Sequence, residues 1–367
     1  MPVKASREPD FAQFIKVLRR EAPDRPTLFE FYLNGPLYER LAGRPEPAAP
    51  SAVAKRHPVD SASADERTDL FAYYRELGSW YADAFRAGGY DYVNFPPAVA
   101  FPRFRFREGG HEKAKSHSLN EGSFIANRDD LERFSWPSAG EIDLEVIDSL
   151  VSSVPDGMGA LVFTPGGVLE NLVDVMGYDN LCFALVDDRE LVAAVAQRIG
   201  SALVAIYEAI APHPRIGALI ANDDWGFKTQ TMISPADLRE FVFPYHRRMA
   251  ETAHAADKPI LLHSCGQLQE VMDDVIDGIG FDAKHSFEDV ILPVEDVYER
   301  WGDRIAILGG IDVDMLCSAS EDAITARSRA MIERTADRGG YALGSGNSIP
   351  EYVPREAYFA MTRAALE

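Results

Sequence analysis

Residues 259 to 266 read Pro-Ile-Leu-Leu-His-Ser-Cys-Gly, an apolar run that ends in an imidazole and a thiol. The apolar part predicts a short buried strand with His263 and Cys265 at its carboxyl end. Positions two apart on a strand face the same way, so both side chains would project together. An imidazole and a thiolate are two of the ligands that a zinc ion needs. The sequence has no paired C-x-x-C elements to complete a closed structural site, so the pair favours an open catalytic site. The alternative is a packed cysteine beside a hydrogen-bonded histidine.

Seven further segments are also short and rich in β-branched or aromatic residues, and most precede a stretch with helical spacing. After Gly266, for example, Leu268, Val271 and Val275 lie at positions i, i+3 and i+7. Eight strand–helix units in 367 residues predict an α/β fold with a parallel sheet, a single closed (β/α)8 (TIM) barrel. A doubly wound open sheet is the alternative, although no G-x-G-x-x-G follows the first strand. The predicted strands are residues 27–32, 90–95, 160–164, 217–221, 259–262, 281–284, 305–308 and 341–344.

The chain between the second and third predicted strands is longer than one helix needs. It contains the alternation Arg-Phe-Arg-Phe-Arg at residues 103–107 and predicts an insertion, at about residues 97–130, over the barrel mouth. In an extended segment the arginines share one face, so Arg103 and Arg105 are candidates for holding a phosphate or carboxylate of a cofactor or substrate. The alternative is a solvated face of a hairpin. We expect one barrel domain over residues 1–367.

The composition excludes several classes of partner. The chain has 37 basic and 58 acidic residues, a formal net charge of −21, so it should repel nucleic acid and anionic membrane surfaces. No apolar signal core begins the chain, and no window approaches the ~20 apolar residues that span a bilayer. Three cysteines cannot form a disulfide framework at this size, which agrees with a reducing, cytoplasmic location. Aromatic residues within 96–107 make a homodimer conceivable.

Polar side chains follow the carboxyl ends of other predicted strands, where such barrels place their chemistry. Asp223 and Asp224 are candidate catalytic residues that would point to opposite faces, so at most one enters the barrel as a ligand, an orienting group or a proton-transfer group. The alternative is a helix cap or a solvated loop end. His285 is a candidate third ligand or catalytic group, or else a hydrogen-bonding residue of the barrel wall. Asn347, after the eighth strand, could contact a cofactor.

Several pieces of the sequence together resemble the uroporphyrinogen decarboxylase superfamily. They are Leu-Arg-Arg-Glu-Ala-Pro-Asp-Arg-Pro at 18–26, Asp-Asp-Trp-Gly at 223–226 with Ile-Ser-Pro at 233–235, His-Ser-Cys-Gly at 263–266, and Gly-Gly-Ile-Asp at 309–312. The resemblance spans nearly the whole chain, and the pieces are specific in combination although each is weak alone. It implies a TIM barrel independently of the strand and helix pattern.

Members of that superfamily carry out two kinds of chemistry. True uroporphyrinogen decarboxylases use no metal and hold porphyrinogen carboxylates with an arginine-rich R-Q-A-G-R segment, whereas residues 32–36 here read Tyr-Leu-Asn-Gly-Pro. The other branch comprises cobalamin-dependent methyltransferases, whose zinc is bound by H-x-C and by a second cysteine near the eighth strand. His263 and Cys265 match the pair, but the third position falls at Ser345. The resemblance therefore implies that an acid or His285 supplies the third donor, or that metal binding is weakened or lost.

These observations give one leading hypothesis and two alternatives. The resemblance implies a methyltransferase in which zinc on His263 and Cys265 activates a thiol or similar small-molecule acceptor, with methylated corrinoid (cobalamin) on a partner protein as the donor. One alternative is a metal-free decarboxylase or lyase in which Arg103, Arg105 or Arg107 holds substrate carboxylates and an acid stabilises a protonated intermediate. The other is a corrinoid or small-molecule binding protein without turnover, and the missing second cysteine is its best support.

Overall fold

Seven parallel strands form the centre of the protein. The computed structural model describes residues 7–50, 63–102, 104, 106 and 124–367. The strands lie in the sheet in chain order, and every neighbouring pair is parallel, as repeated strand–helix units predict. They are β1 (Tyr92–Phe95), β2 (Gly159–Phe163), β3 (Ile216–Asn222), β4 (Ile260–His263), β5 (Ala283–His285), β6 (Ala306–Leu308) and β7 (Tyr341–Ala342).

Helices connect these strands, and local sequence sets their ends. The helix Ala64–Gly88, for example, begins with a capping box between Ser63 and Glu66 and ends at Gly89 in the left-handed conformation. The other α-helices are Phe11–Leu18, Gly35–Ala42, Pro97–Ala100, Arg128–Arg133, Leu144–Val151, Val168–Met176, Tyr178–Asp187, Arg189–Ile210, Pro235–Asp237, Phe243–Ala255, Val294–Trp301, Val313–Ser318, Glu321–Thr335 and Arg355–Leu366. Short 3-10 helices span Ala139–Glu141 and Gln269–Val271, and π-helical turns span Leu238–Val242 and Asp274–Ile279.

The first predicted strand, residues 27–32, differs from the other seven. Beside β7 it makes only an isolated parallel bridge between Leu28 and Leu343. On the side of β1, a side-chain hydrogen bond takes the place of backbone pairing. The Tyr92 hydroxyl of β1 donates to the carbonyl oxygen of Glu30 at 2.8 Å. The described residues therefore form a curled seven-stranded sheet, and the closed eight-stranded barrel stays a prediction.

The sheet is buried on both faces, as parallel sheets usually are. Every residue of β2 and β4 is buried, which explains why both are continuous apolar runs instead of alternating ones. Helix Arg189–Ile210 adds a long apolar face to this core. By length and composition it is also the one helix among the described residues that could cross a membrane, but 56% of its apolar window is buried inside the protein.

The carboxyl ends of the strands carry the residues that the sequence analysis selected. β4 ends at His263, β5 ends at His285, and these two residues are register partners in the sheet. The predicted insertion at about residues 97–130 is described only in part. Arg103 and Arg105 lie outside the described residues, so their predicted role stays a prediction.

Candidate metal centre

The carboxyl ends of β3 and β4 bring three potential metal ligands together. Asn222 of β3 pairs in register with His263 of β4, so the residues that follow the two strands are neighbours. The backbone N–H of Cys265 donates to Oδ1 of Asp224 at 2.9 Å and ties the two loops together. The ligand atoms of Asp224, His263 and Cys265 all lie within 4.8 Å of one another. Parallel pairing thus gathers a carboxylate, an imidazole and a thiol from separate parts of the sequence.

A glycine permits this close approach of the two loops. Gly266 has a φ of 86°, in the left-handed region that favours glycine, and a Cβ there would overlap the backbone of Gly226. The loop after β4 therefore packs directly on the loop after β3 and holds Cys265 beside Asp224. The two motifs 223–226 and 263–266 are the two sides of one contact.

A chain of hydrogen bonds orients the His263 ring. His285 Nε2 lies 3.2 Å from the carbonyl oxygen of Ser345, to which it donates, and His285 Nδ1 lies 2.8 Å from Nδ1 of His263. Burial lowers the pKa of His285 to about 3, so this ring is neutral and its Nδ1 can only accept. The shared proton therefore belongs to Nδ1 of His263. Nε2 of His263 is left as a lone pair, 3.9 Å from Sγ of Cys265.

The Cys265 thiol lies among hydrogen-bond donors and a carboxylate. Its sulfur accepts from the side-chain amide of Asn347 at 3.3 Å and from the hydroxyl of Ser286 at 3.7 Å. Burial, followed by the nearby charge of Asp224, raises the pKa of the thiol well above its ordinary value. A bound cation would favour the thiolate instead, because the sulfur then faces a positive charge.

This donor set fits zinc. Imidazole nitrogen, thiolate sulfur and carboxylate oxygen are all zinc ligands, and a tetrahedral ion with ordinary bond lengths separates nitrogen from sulfur by about 3.6 Å. The 3.9 Å between Nε2 of His263 and Sγ of Cys265 is close to that separation. Three protein ligands also leave a fourth position for substrate, as in catalytic zinc sites. Asp224, His263 and Cys265 are the residues that would hold the ion.

Ser345, where the resemblance places a second cysteine, is engaged with a buried acid. Its hydroxyl donates to Oε2 of Glu30 at 2.7 Å, and its backbone N–H donates to Oε1 at 2.8 Å. Glu30 is fully buried, and burial raises its pKa to about 8. The third potential donor beside His263 and Cys265 is Asp224, while His285 contacts the Nδ1 side of the His263 ring, away from the thiol.

Asp223 points away from the cluster, as strand alternation requires of one of the two aspartates. Its carboxylate accepts from the backbone N–H groups of Leu169 at 3.0 Å and Glu170 at 2.9 Å, in the first turn of the helix after β2. His246 Nε2 lies 2.9 Å from the same carboxylate. Gly167 makes room for this contact, because a Cβ there would overlap the Asp223 side chain. Asp223 therefore caps a helix and pairs with a buried imidazole.

A cavity of about 600 Å³ opens beside the cluster, which is a volume suited to a small organic ligand. Phe31 lies in its wall and stacks on His263 with the ring centroids 3.9 Å apart. Glu170 lies in the same wall, and burial together with the nearby Asp224 raises its pKa well above the ordinary value. The aromatic residues described in the wall are Phe31, Tyr32, Tyr38, Trp80, Tyr81, Phe101, Phe104, Phe106 and Phe163.

Asn347 also lines a second cavity of about 820 Å³. The wall of this second cavity includes Glu288, Asp312 and the exposed ring of Tyr352. Asn347 lines both this cavity and the cavity of about 600 Å³, and its side-chain amide donates to the Cys265 sulfur.

The predicted site residues thus fall into two groups within the described chain. The structure brings together Asp224, His263, Cys265, His285 and Asn347, whereas Asp223 faces the helix after β2.

The sequence analysis missed Glu170 and Ser286. Glu170 had a usable signal, since it lies in the first turn of a helix that directly follows a strand end. Ser286 had none beyond its place after His285.

A parallel α/β sheet that gathers His, Cys and Asp at its strand ends beside a cavity defines an α/β protein with a candidate metal centre. The sequence profile of the family "Uroporphyrinogen decarboxylase (URO-D)" matches residues 121–367, more than half of the chain. The chain belongs to the URO-D family, and the predicted superfamily is confirmed.

Individual relatives include both kinds of enzyme. The chain is 32% identical over 123 residues to a methylated-thiol–coenzyme M methyltransferase of Methanosarcina mazei, covering 33% of this chain and 32% of that protein. It is 28% identical over 129 residues to a uroporphyrinogen decarboxylase of an Anaeromyxobacter species, covering 35% of this chain and 36% of that protein. The chain therefore matches about a third of the length of these relatives.

A solved structure shows the same fold over nearly the full length. A methyltransferase from Methanosarcina mazei superposes with a TM-score of 0.66 and 16% sequence identity, covering 98% of both chains. This likeness shows the fold alone, and the partial matches to relatives include both a methyltransferase and a decarboxylase.

Proposed function

We propose that this protein is a zinc-dependent methyltransferase that moves a methyl group between a corrinoid and a thiol or similar small-molecule acceptor. The observation that carries the proposal is the cluster of Asp224, His263 and Cys265, which borders the cavity. Similarity to a methylated-thiol–coenzyme M methyltransferase supports it.

The residues of this chain would act by holding and orienting. Zinc, when bound, would supply a Lewis acid that favours the thiolate form of the acceptor, which is the nucleophile in methyl transfer. His285 keeps the proton of His263 on Nδ1, so that Nε2 can bind. Asn347 donates to the Cys265 sulfur and fixes its position. Phe31 covers one face of the His263 ring and shields it from water.

We also propose how the fold serves this reaction. Residues 27–33 would close the sheet into a (β/α)8 barrel, since they bridge β7 at Leu28 and receive a hydrogen bond from Tyr92 of β1. The whole chain would form one domain, with the insertion at about 97–130 over the mouth. A corrinoid partner protein would approach from the cavity of about 820 Å³ that shares Asn347. Cytoplasmic location and a homodimer stay predictions.

The cavity wall disfavours a metal-free decarboxylase. In the part of the chain that the structure describes, the wall near the cluster has carboxylates and neither lysine nor arginine. A substrate with several carboxylates would need cations to hold it. Arg103, Arg105 and Arg107, which this alternative assigns to the substrate, lie outside the described residues.

A single-turnover assay tests the proposed function. Zinc-loaded protein would be mixed with methylcob(III)alamin and either cysteamine or 2-mercaptoethanol, and the loss of cobalt–carbon absorbance followed. We expect the protein to accelerate demethylation and Cys265→Ser to be slower by at least about 100-fold. Cys182→Ser is the matched control, because Cys182 lies on helix Tyr178–Asp187 outside the cavity wall. Equal rates for the wild type and Cys265→Ser would overturn the proposal.

A further inference from the structure

The wall of the cavity beside the metal centre is unusually rich in aromatic rings. Phe31 and Phe163 lie with centroids 4.6 Å apart, and Phe104 and Phe106 lie 5.6 Å apart at an interplanar angle of 87°. Rings at different angles present both faces and edges to one space. Aromatic faces are negative and attract organic cations, best when several rings surround the charge.

Glu170 adds a carboxylate oxygen to the same wall. Its Oε2 accepts from the backbone N–H of Gly167 at 3.0 Å and from the side-chain amide of Asn222 at 2.8 Å. No described residue donates to its Oε1, and the side chain lines the cavity. One oxygen thus fixes the side chain, and the other is available to a ligand.

The charge of the wall has one sign over the described residues. Glu46 and Glu170 line the cavity in addition to Asp224 of the metal cluster, and no lysine or arginine does so in the described part of the wall. An anionic ligand would be repelled there. A neutral apolar ligand would remove water from the Glu170 carboxylate without replacing its hydrogen bonds. An organic cation can contact the aromatic rings through its carbon atoms and interact with the carboxyl groups through its charge.

We propose that the small molecule bound in this cavity is a compact organic cation, with methyl or methylene groups next to a positive nitrogen or sulfur. Quaternary ammonium, sulfonium and ammonium-bearing thiols share this chemistry. The rings contact the carbon surface around the charge. The positive charge beside Glu170 favours its ionised form, which burial and Asp224 disfavour in the free protein, where they raise its pKa. The inference rests on the proposed function for its place in catalysis, because it names the class of substrate that the metal centre meets.

Calorimetric titration with three probes of nearly equal shape tests the inference. Choline carries the cation, 3,3-dimethylbutan-1-ol is its neutral carbon isostere, and 3,3-dimethylbutanoate is a similar anion. We expect choline to bind at least about tenfold more tightly than the alcohol, and the anion to bind most weakly. Equal affinities for choline and the alcohol, or a higher affinity for the anion, would overturn the inference. The wild-type protein alone is enough for this test.

Two variants locate the selectivity. Glu170→Gln keeps the size of the side chain and should weaken choline about fivefold while leaving the alcohol unchanged, and Phe104→Leu should also weaken choline more than the alcohol. Glu208→Gln is the matched control, because Glu208 is an exposed carboxylate on helix Arg189–Ile210. A loss of choline affinity in Glu208→Gln equal to that in Glu170→Gln would contradict a role for the cavity.

The same protein samples separate this inference from the proposed function. Zinc content would be measured on each sample before titration. Selective choline binding by a protein that takes up no zinc when zinc is supplied would refute the zinc mechanism and still support the cation site. One zinc per chain, together with equal affinities for choline and the alcohol, would refute the cation site but still support the metal centre.

Discussion

Two neighbouring aspartates, each beside a histidine, belong to very different regions of the molecule. Asp223 lies with His246 against the helix after β2, where both are buried and the carboxylate accepts from several donors. Asp224 lies with His263 at the edge of the cavity, beside Cys265. The residue types are the same, and strand alternation separates them. A carboxylate with hydrogen bonds to both oxygens, such as Asp223, stabilises the fold. A carboxylate and an imidazole that face a cavity beside a thiol can bind a metal.

The largest effect should come from Asp223→Ala. It would leave His246 and two backbone N–H groups of helix Val168–Met176 without their acceptor, so we expect the free energy of unfolding to fall by about 3–5 kcal/mol. Asp224→Ala should lower it by less than about 1 kcal/mol. Urea unfolding of zinc-free protein, followed by tryptophan fluorescence, measures both. Equal losses in the two variants would break the comparison.

His285→Phe should have the next largest effect, this time on metal binding. Without the Nδ1 acceptor, His263 is no longer held in the tautomer that leaves Nε2 free, so zinc affinity should fall by about 10- to 100-fold. His246→Phe is the control from the other region and should leave zinc affinity unchanged. Competition with a chromophoric chelator measures both. If His285→Phe bound zinc as tightly as the wild type, the hydrogen bond between His285 and His263 would have no effect on zinc affinity.

Asn347→Ala should have the smallest effect. It removes one hydrogen bond to the Cys265 sulfur, and we expect zinc affinity to fall by about fivefold. Asn180→Ala is the matched control, since the Asn180 amide donates to the carbonyl oxygen of Met176 away from the cavity wall. The same competition measurement applies. A loss above a hundredfold would mean that Asn347 is itself a ligand.

The sequence predicted the parts of the fold that depend on local pattern. Strands buried on both faces are mostly apolar runs, so β2, β3 and β4 could be recognised from the sequence alone. The opposite orientation of Asp223 and Asp224 also followed from strand geometry. The first predicted strand was different because side chains such as Tyr92 take the place of a backbone ladder beside it, which no local pattern indicates.

The parts of the site that depend on pairing between distant segments could not be predicted in the same way. His285 meets His263 because β4 and β5 pair in register, and a single sequence does not contain that register. The position of Asp224 beside His263 and Cys265 depends on the contact between Gly226 and Gly266. The aromatic wall collects rings from several separate segments, so no periodic pattern in the chain reveals it.

The metal content of the untagged protein tests the central claim most directly. Plasma mass spectrometry would be applied to the wild type, Cys265→Ser and Cys182→Ser after expression with zinc. The account predicts about one zinc per chain in the wild type and in Cys182→Ser, and almost none in Cys265→Ser. No zinc in the wild type, or equal zinc in all three proteins, would contradict a metal centre at Asp224, His263 and Cys265.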